Sequence, residues 1–209
     1  MKAKNLPKEW RTELRNHKNL ILLSLAFLAS SVALIYVAGN YVDSAESSAV
    51  PDLILGFLPA VNLSFLFIYG YVLAIAVLLI YPFLFKIKEF HVILSQFSLL
   101  VLIRSFFISL THLKIPADAI VTNTPYLYHL LLFENDLFFS GHAAIPFLGF
   151  LLFRKQKIGI FFLIATIVLA TSVLFMHVHY SIDVFAAFFI AYGSYKLGNW
   201  LFKRVSENK

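Results

Sequence analysis

The sequence lacks cysteine altogether and has few charged residues, which make up 13% of the chain. Disulfides, thiolate metal sites and cysteine nucleophiles are therefore excluded. Hydrophobic residues account for 60% of the chain, a share that is too high for an ordinary soluble domain and is typical of integral membrane proteins. Basic residues outnumber acidic ones, 17 to 11, but no nucleic-acid-binding motif accompanies this excess, and no nucleic-acid partner is expected.

Long apolar runs predict an all-α, polytopic membrane protein with six transmembrane helices. A helix needs about 20 apolar residues to cross a hydrocarbon core of about 30 Å. The runs cover residues 20–39, 63–85, 92–111, 137–153, 158–176 and 180–202. No polar linker or internal repeat divides them. We expect a cytoplasmic amphipathic and basic segment (1–18), one six-helix catalytic domain (19–203) and a cytoplasmic tail (204–209).

The distribution of Lys and Arg predicts the orientation of these helices. Basic residues collect on the cytoplasmic side of membrane proteins. Here they cluster before the first run, in alternate loops and at the C-terminal end: Lys2, Lys4, Lys8, Arg11, Arg15, Lys18, Lys86, Lys88, Arg154, Lys155, Lys157, Lys203, Arg204 and Lys209. Both termini are therefore predicted to face the cytoplasm.

The predicted extracytoplasmic loop 112–136 is amphipathic. Its residues 125–133 carry Tyr and His among leucines, a composition that suits the headgroup plane of a bilayer. We expect this segment to cover a site that opens toward lipid.

Two histidines and a carboxylate are predicted to meet at the extracytoplasmic ends of the helices. His142 lies near the start of the fourth run, and His179 and Asp183 lie at the junction of the fifth and sixth. A spacing of four would place His179 and Asp183 on one helix face, where the carboxylate can orient the imidazole. A polar cluster at membrane depth is a functional-site hypothesis by default. The alternative is a hydrogen-bonded pair that only caps the sixth helix.

Phosphate-binding groups are predicted beside these histidines. Ser140 and Gly141 precede His142, and the backbone N–H groups at a helix N-terminus favour an anion. Arg104, in the third run, supplies a guanidinium that can bind phosphate through two hydrogen bonds. Its alternative role is a structural ion pair.

A metal site is the alternative to this arrangement. His142, His177, His179, Asp136 and Asp183 are candidate ligands. However, His177 and His179 would diverge by about 200° on a helix, and no His-Glu-x-x-His motif is present. Metal-independent chemistry without a cofactor is therefore favoured.

The residues around these histidines resemble a known family. The segment Asn-Asp-Leu-Phe-Phe-Ser-Gly-His (135–142) and the segment His-Val-His-Tyr-Ser-Ile-Asp-Val (177–184) resemble two signature motifs of sphingomyelin synthases and related proteins, in the type 2 phosphatidic acid phosphatase superfamily. Residues 104–116 are similar to the preceding motif. The resemblance implies that His179 is the nucleophile, Asp183 its orienting group and His142 the general acid. Asp136 and Tyr180, which lie within the motifs, join Arg104, Ser140 and Gly141 as expected substrate-binding residues.

Departures from the superfamily pattern bear on the expected substrate. Phe139 stands where the phosphatases usually have proline, Val173 stands where they have arginine, and their Lys-x6-Arg-Pro motif is missing. Fewer cations favour a phosphodiester over a dianionic monoester. We therefore expect a lipid phosphotransferase or phospholipase-C-like phosphohydrolase, with a phospholipid donor and a lipid or water acceptor, in a bacterial cytoplasmic membrane.

Two other functions stay open at this point. The first is a lipid phosphate phosphatase acting on phosphatidate, phosphatidylglycerol phosphate or a polyprenyl diphosphate. The second is a non-enzymatic lipid or proton transporter, in which buried His and Asp would relay protons.

Overall fold

The fold is all-helical over the residues that the computed structural model describes, which are 6–120 and 136–207. Within these ranges no strand occurs, and Ser48 and Leu113 form an isolated bridge between two loops. The predicted headgroup-plane segment 125–133 lies outside the described residues, as do residues 1–5 and 208–209.

The described residues form six α-helices: α1 (Leu6–Ser44), α2 (Tyr71–Phe85), α3 (Ile87–Leu110), α4 (Gly141–Phe153), α5 (Ile158–Phe175) and α6 (Ser181–Glu207). A π-helical turn, Leu66–Gly70, runs directly into α2, and a 3-10 turn, Leu55–Phe57, lies in the preceding loop. Four helices in the described part of the chain are long and apolar enough to cross a membrane: Lys8–Ser44, Leu66–Phe85, Ile87–Leu110 and Ile158–Phe175. The multi-pass helical architecture is therefore confirmed, while Gly141–Phe153 is a shorter apolar helix.

The ends of two helices differ from the sequence prediction. Helix α4 begins at Gly141, so residues 137–140 form a non-helical lead and His142 is the second helical residue rather than a full turn inside. Helix α1 begins at Leu6 and continues the predicted amphipathic segment into the first apolar run without a break. At about 1.5 Å per residue, its 39 residues span roughly 58 Å, well beyond a hydrocarbon core.

The N-terminal part of α1 docks on the turn between α2 and α3. The Trp10 indole N–H donates a hydrogen bond to the carbonyl of Phe83 (2.8 Å), and the Trp10 and Phe83 rings meet edge to face. Glu13 pairs with Lys88 at 3.1 Å. These contacts anchor the basic end of α1 to the bundle.

The core that supports the site lies where α4 packs against α5 and α6, while α3 packs against α1 and α6. Gly149 on α4 faces the Phe162 ring of α5 so closely that a Cβ there would collide with it. Leu148 and Ala187 are fully buried in the same cluster. Small residues thus bring α4 close to α5, as close packing between membrane helices requires.

Several loops are joined by hydrogen bonds at one end of the bundle, which we call the site end. Helices α1, α3 and α5 end there, and helices α4 and α6 begin there. The N–H of Val61 donates to the carbonyl of Phe175 (2.7 Å), and that of Ile120 donates to Met176 (2.9 Å). Two separate loops therefore converge on the short connection between α5 and α6, which carries His177 and His179.

Candidate active site

A backbone hydrogen bond joins the two helices that carry the predicted catalytic residues. The N–H of Ser140, the N-cap of α4, donates to the carbonyl of Asp183 in the first turn of α6 (3.1 Å). The starts of α4 and α6 are therefore adjacent, and the free N–H groups of both helices face the same end of the bundle.

His142 is held between two aromatic rings. The rings of Phe67 and Tyr71 stack on its opposite faces, each with a centroid distance of 4.0 Å and interplanar angles of 14° and 27°. The backbone of Phe67 also hydrogen-bonds the imidazole. Because both faces are covered, the ring plane is fixed. Its Nε2 is buried without a hydrogen-bond partner among the described residues.

His179 and Asp183 lie close together, but they do not share a helix face as their spacing predicts. The Nδ1 of His179 stands 3.5 Å from Oδ2 of Asp183, and the carboxylate is fully buried. The same oxygen accepts a hydrogen bond from the N–H of Tyr180 (2.9 Å). Asp183 therefore caps the first turn of α6 and also faces the imidazole. His179 itself precedes the helix, which begins at Ser181.

Arg104 fixes the lead into α4. Its Nη1 contacts Oδ2 of Asp136 at 2.5 Å, its Nη2 donates to the carbonyl of Asp136 (3.2 Å), and its Nε donates to the carbonyl of Phe139 (2.9 Å). The guanidinium thus holds two backbone positions just before Ser140. Its structural ion pair is present, and the same group also borders the candidate site.

His142, the pair of His179 and Asp183, Arg104 and the start of α4 lie in one region of the protein. His142 lies within range of the charges of His179 and Arg104. A Cβ built on Gly141 would stand 3.1 Å from the Tyr71 hydroxyl and 3.3 Å from Nε of Arg104. The glycine therefore allows the α4 backbone to approach both groups more closely than a larger residue would.

Buried polar atoms without partners concentrate at this place. Among the described residues, hydrogen-bond partners are lacking for Oδ1 of Asp136, Oγ of Ser140, Nε2 of His142, Nδ1 of His179 and Oδ1 of Asp183. Native interiors leave few such atoms, so each calls for an explanation. Of these groups, the Ser140 hydroxyl and the His142 imidazole lie at a helix N-terminus, where an anion is favoured, whereas the two carboxylate oxygens can only accept hydrogen bonds when ionised.

Tyr180 has other contacts. Its hydroxyl donates to the carbonyl of Lys114 (2.8 Å) and accepts from the N–H of Val50 (3.1 Å), and its ring is buried. The side chain that the motif suggests for substrate binding therefore ties two loops to the start of α6.

His177 forms a second imidazole–carboxylate pair, with Nδ1 2.6 Å from Oδ2 of Asp118. It occupies the left-handed residue that ends α5, with φ of 53°. Hydrogen bonds from His177 N–H to Leu174 and from Val178 N–H to Val173 complete a Schellman motif. Glycine is the usual residue at this position, since a side chain there costs free energy.

Asp52 caps α6 from a distant loop. Its Oδ2 accepts a hydrogen bond from the N–H of Ser181 (2.7 Å), and its Oδ1 accepts from Ile54 (2.9 Å) and Leu55 (3.1 Å). Partial burial acts to raise the pKa of this carboxyl, but the backbone donors, those of Leu55 and Ser181 foremost, outweigh it and hold the pKa below its usual value.

The sequence alone does not predict the roles of several of these residues. Phe67 and Tyr71 lay inside a run interpreted only as membrane-spanning, and Asp52 and Asp118 lay in loops with no motif. The one local signal was Tyr71, an aromatic residue with a hydroxyl in an apolar run.

The described residues include no group of three or more His, Cys, Asp or Glu arranged to hold a metal ion. No protein-family model, curated protein or solved structure matches the chain.

Proposed function

We propose that this protein is a membrane-embedded lipid phosphotransferase or phospholipase-C-like phosphohydrolase, related to the sphingomyelin synthases of the type 2 phosphatidic acid phosphatase superfamily. The observation that carries the proposal is that the start of α4, with His142, is hydrogen-bonded to the start of α6, where Asp183 faces His179, and that Arg104 borders the same place. Two imidazoles, an orienting carboxylate and a helix N-terminus are the groups that transfer of a phosphoryl group through a histidine requires.

The proposed reaction has two steps. In the first, a ring nitrogen of His179 attacks the lipid phosphorus, a P–N bond forms, and the P–O bond to the leaving alcohol breaks. The electron pair of that bond stays on the leaving oxygen, which takes a proton from His142. In the second step an acceptor hydroxyl, from a lipid or water, attacks phosphorus and gives its proton to His142, and the P–N bond breaks. Both histidines return to their starting states.

The geometry supports distinct roles for the two imidazoles. Nδ1 of His179 faces the Asp183 carboxylate, so the opposite ring nitrogen is the one that can attack phosphorus. Nε2 of His142 has no hydrogen-bond partner among the described residues, which leaves it available to give a proton to a substrate oxygen and regain one.

The charge of the site supports a phosphodiester substrate. The guanidinium of Arg104 is already met by the carboxylate of Asp136, and Asp183 adds a further negative charge. The segment 121–135, which connects the motifs, contains neither Lys nor Arg. A singly charged diester would therefore leave less uncompensated negative charge in this site than a doubly charged monoester would.

The proposal includes six spans with both termini in the cytoplasm and the site end facing outward. The basic clusters before α1, between α2 and α3 and between α4 and α5 support this orientation. Helix α4 is short, but residues 137–140 lengthen its path at the site end.

The test is turnover of labelled phospholipids by purified protein in mixed vesicles that also contain a lipid alcohol. We expect a lipid to lose its headgroup phosphate to an acceptor, and His179→Ala to reduce the rate by at least about 10³-fold, as loss of a nucleophile does. His112→Ala is the matched control, because His112 is an exposed histidine at the same end of the bundle and should retain activity.

Other outcomes select the rival functions. Inorganic phosphate released from monoesters without headgroup transfer would identify a lipid phosphate phosphatase. Movement of lipid or protons across the vesicle wall with no chemical change would identify a transporter. Full activity in His179→Ala would rule out the proposed nucleophile.

A further inference from the structure

Tyr71 stands directly after an irregular turn. Residues Leu66–Gly70 form a π-helical turn, and Tyr71 is the first residue of the α-helix that follows. A π turn inserts an extra residue into a helical turn and so re-aims the side chains on either side of it; such turns are frequent at functional sites. Here the turn is packed against α5, where a Cβ on Gly70 would lie 3.1 Å from Leu169.

The re-aimed side chains both reach His142. Phe67 lies inside the π turn and Tyr71 follows it, and their rings cover opposite faces of the imidazole at 4.0 Å. In a regular helix, residues four apart have Cβ atoms only about 5–6 Å from each other. Two side chains that hold a third ring between them must therefore point further apart than they do in a regular helix. The π turn contains Phe67 and directly precedes Tyr71, so it lies where the two side chains separate.

The Tyr71 hydroxyl also borders the anion-binding groups. The Cβ position of Gly141 is 3.1 Å from this hydroxyl and 3.3 Å from Nε of Arg104. The hydroxyl, the guanidinium and the first residue of α4 therefore surround one point. The hydroxyl is a neutral donor, so it adds a hydrogen bond to an anion without adding charge.

We propose that Tyr71 is a further substrate-binding residue, whose hydroxyl donates a hydrogen bond to a phosphoryl oxygen beside Arg104 and Gly141. Phe67 is a positioning residue, which with the Tyr71 ring keeps the plane of the His142 imidazole fixed. The inference rests on the proposed function and deepens it: the site recognises a singly charged phosphodiester partly through a neutral phenol.

Tyr71→Phe removes the hydroxyl and leaves the stacked ring. We expect kcat/KM for the phospholipid to fall by about 10- to 100-fold, as expected when one hydrogen bond to a developing anion is lost. Tyr69→Phe is the matched control, because Tyr69 belongs to the same π turn but is exposed; it should match the wild type. Phe67→Leu should move the pH profile of kcat, because it frees the His142 ring, while Tyr71→Phe should leave that profile in place.

A binding measurement separates this inference from the proposed function. Glycerophosphocholine, a soluble phosphodiester, is titrated calorimetrically into detergent-solubilised wild type, Tyr71→Phe and Tyr69→Phe, whose thermal unfolding is compared first. Weaker binding to Tyr71→Phe alone supports the inference even if no lipid turns over, in which case the proposed function fails by itself. Equal turnover and equal binding in the two tyrosine variants would overturn the inference and leave the proposed function standing.

Discussion

Replacing Asp52 by asparagine removes the charge that caps α6 from a loop about 130 residues away in sequence. The carboxylate accepts three backbone hydrogen bonds, from Ile54, Leu55 and Ser181. Loss of a helix cap costs about 0.5–2 kcal/mol, and asparagine keeps one acceptor oxygen, so we expect Asp52→Asn to lose about 1 kcal/mol. For a chain of this size, that corresponds to a fall in Tm of roughly 2–4 °C.

The pH dependence gives the sign of the effect. Hydrogen bonding lowers the pKa of Asp52 in the folded protein below its ordinary value of 3.8. The stabilisation is therefore complete above that value and is lost as pH falls through the folded-state pKa. The Tm difference between wild type and Asp52→Asn should be present at pH 7 and disappear in strong acid.

The assay is thermal unfolding in detergent micelles across a pH series. Glu46→Gln is the control, because Glu46 is an exposed carboxylate in the same loop, and it should leave Tm unchanged. Equal Tm values for wild type and Asp52→Asn at pH 7 would refute the reasoning, and so would a difference that persists unchanged in strong acid.

Two further substitutions test the packing and the ion pair, also by thermal unfolding. Gly149→Ala places a methyl group against the Phe162 ring, so it should destabilise the protein by about 1–3 kcal/mol, as overpacking does; an unchanged Tm would show that α4 and α5 are not in close contact. Arg104→Leu leaves the Asp136 carboxylate buried without its partner and should cost about 3–5 kcal/mol. Arg104→Leu combined with Asp136→Leu should recover part of that loss, and failure to recover any would contradict a direct pairing.

The helices could be predicted from hydrophobicity because each of them contains a long apolar run. The run 158–176 corresponds almost residue for residue to Ile158–Phe175. The start of α4 was predicted four residues too early. Residues 137–140 are as apolar as a helix interior, but their backbone is held instead by Arg104, which donates to the carbonyls of Asp136 and Phe139.

The closeness of His179 and Asp183 could be predicted because only three residues separate them in the chain. The shared helix face that the spacing also predicts is absent, since His179 precedes α6. The ring sandwich around His142 depends on a π turn and on a helix some 70 residues away, neither of which leaves a periodic signal. The same holds for Asp52 and Asp118, whose partners belong to a distant junction. Contacts of this kind depend on tertiary packing alone.

The hydrogen bond between Ser140 and Asp183 joins the start of α4, which carries His142, to the start of α6, which follows His179 directly. Because α4 also packs along α6, helix packing sets the position of His142 relative to Asp183. A lipid substrate of the proposed reaction would therefore have to reach the site without separating α4 from α6.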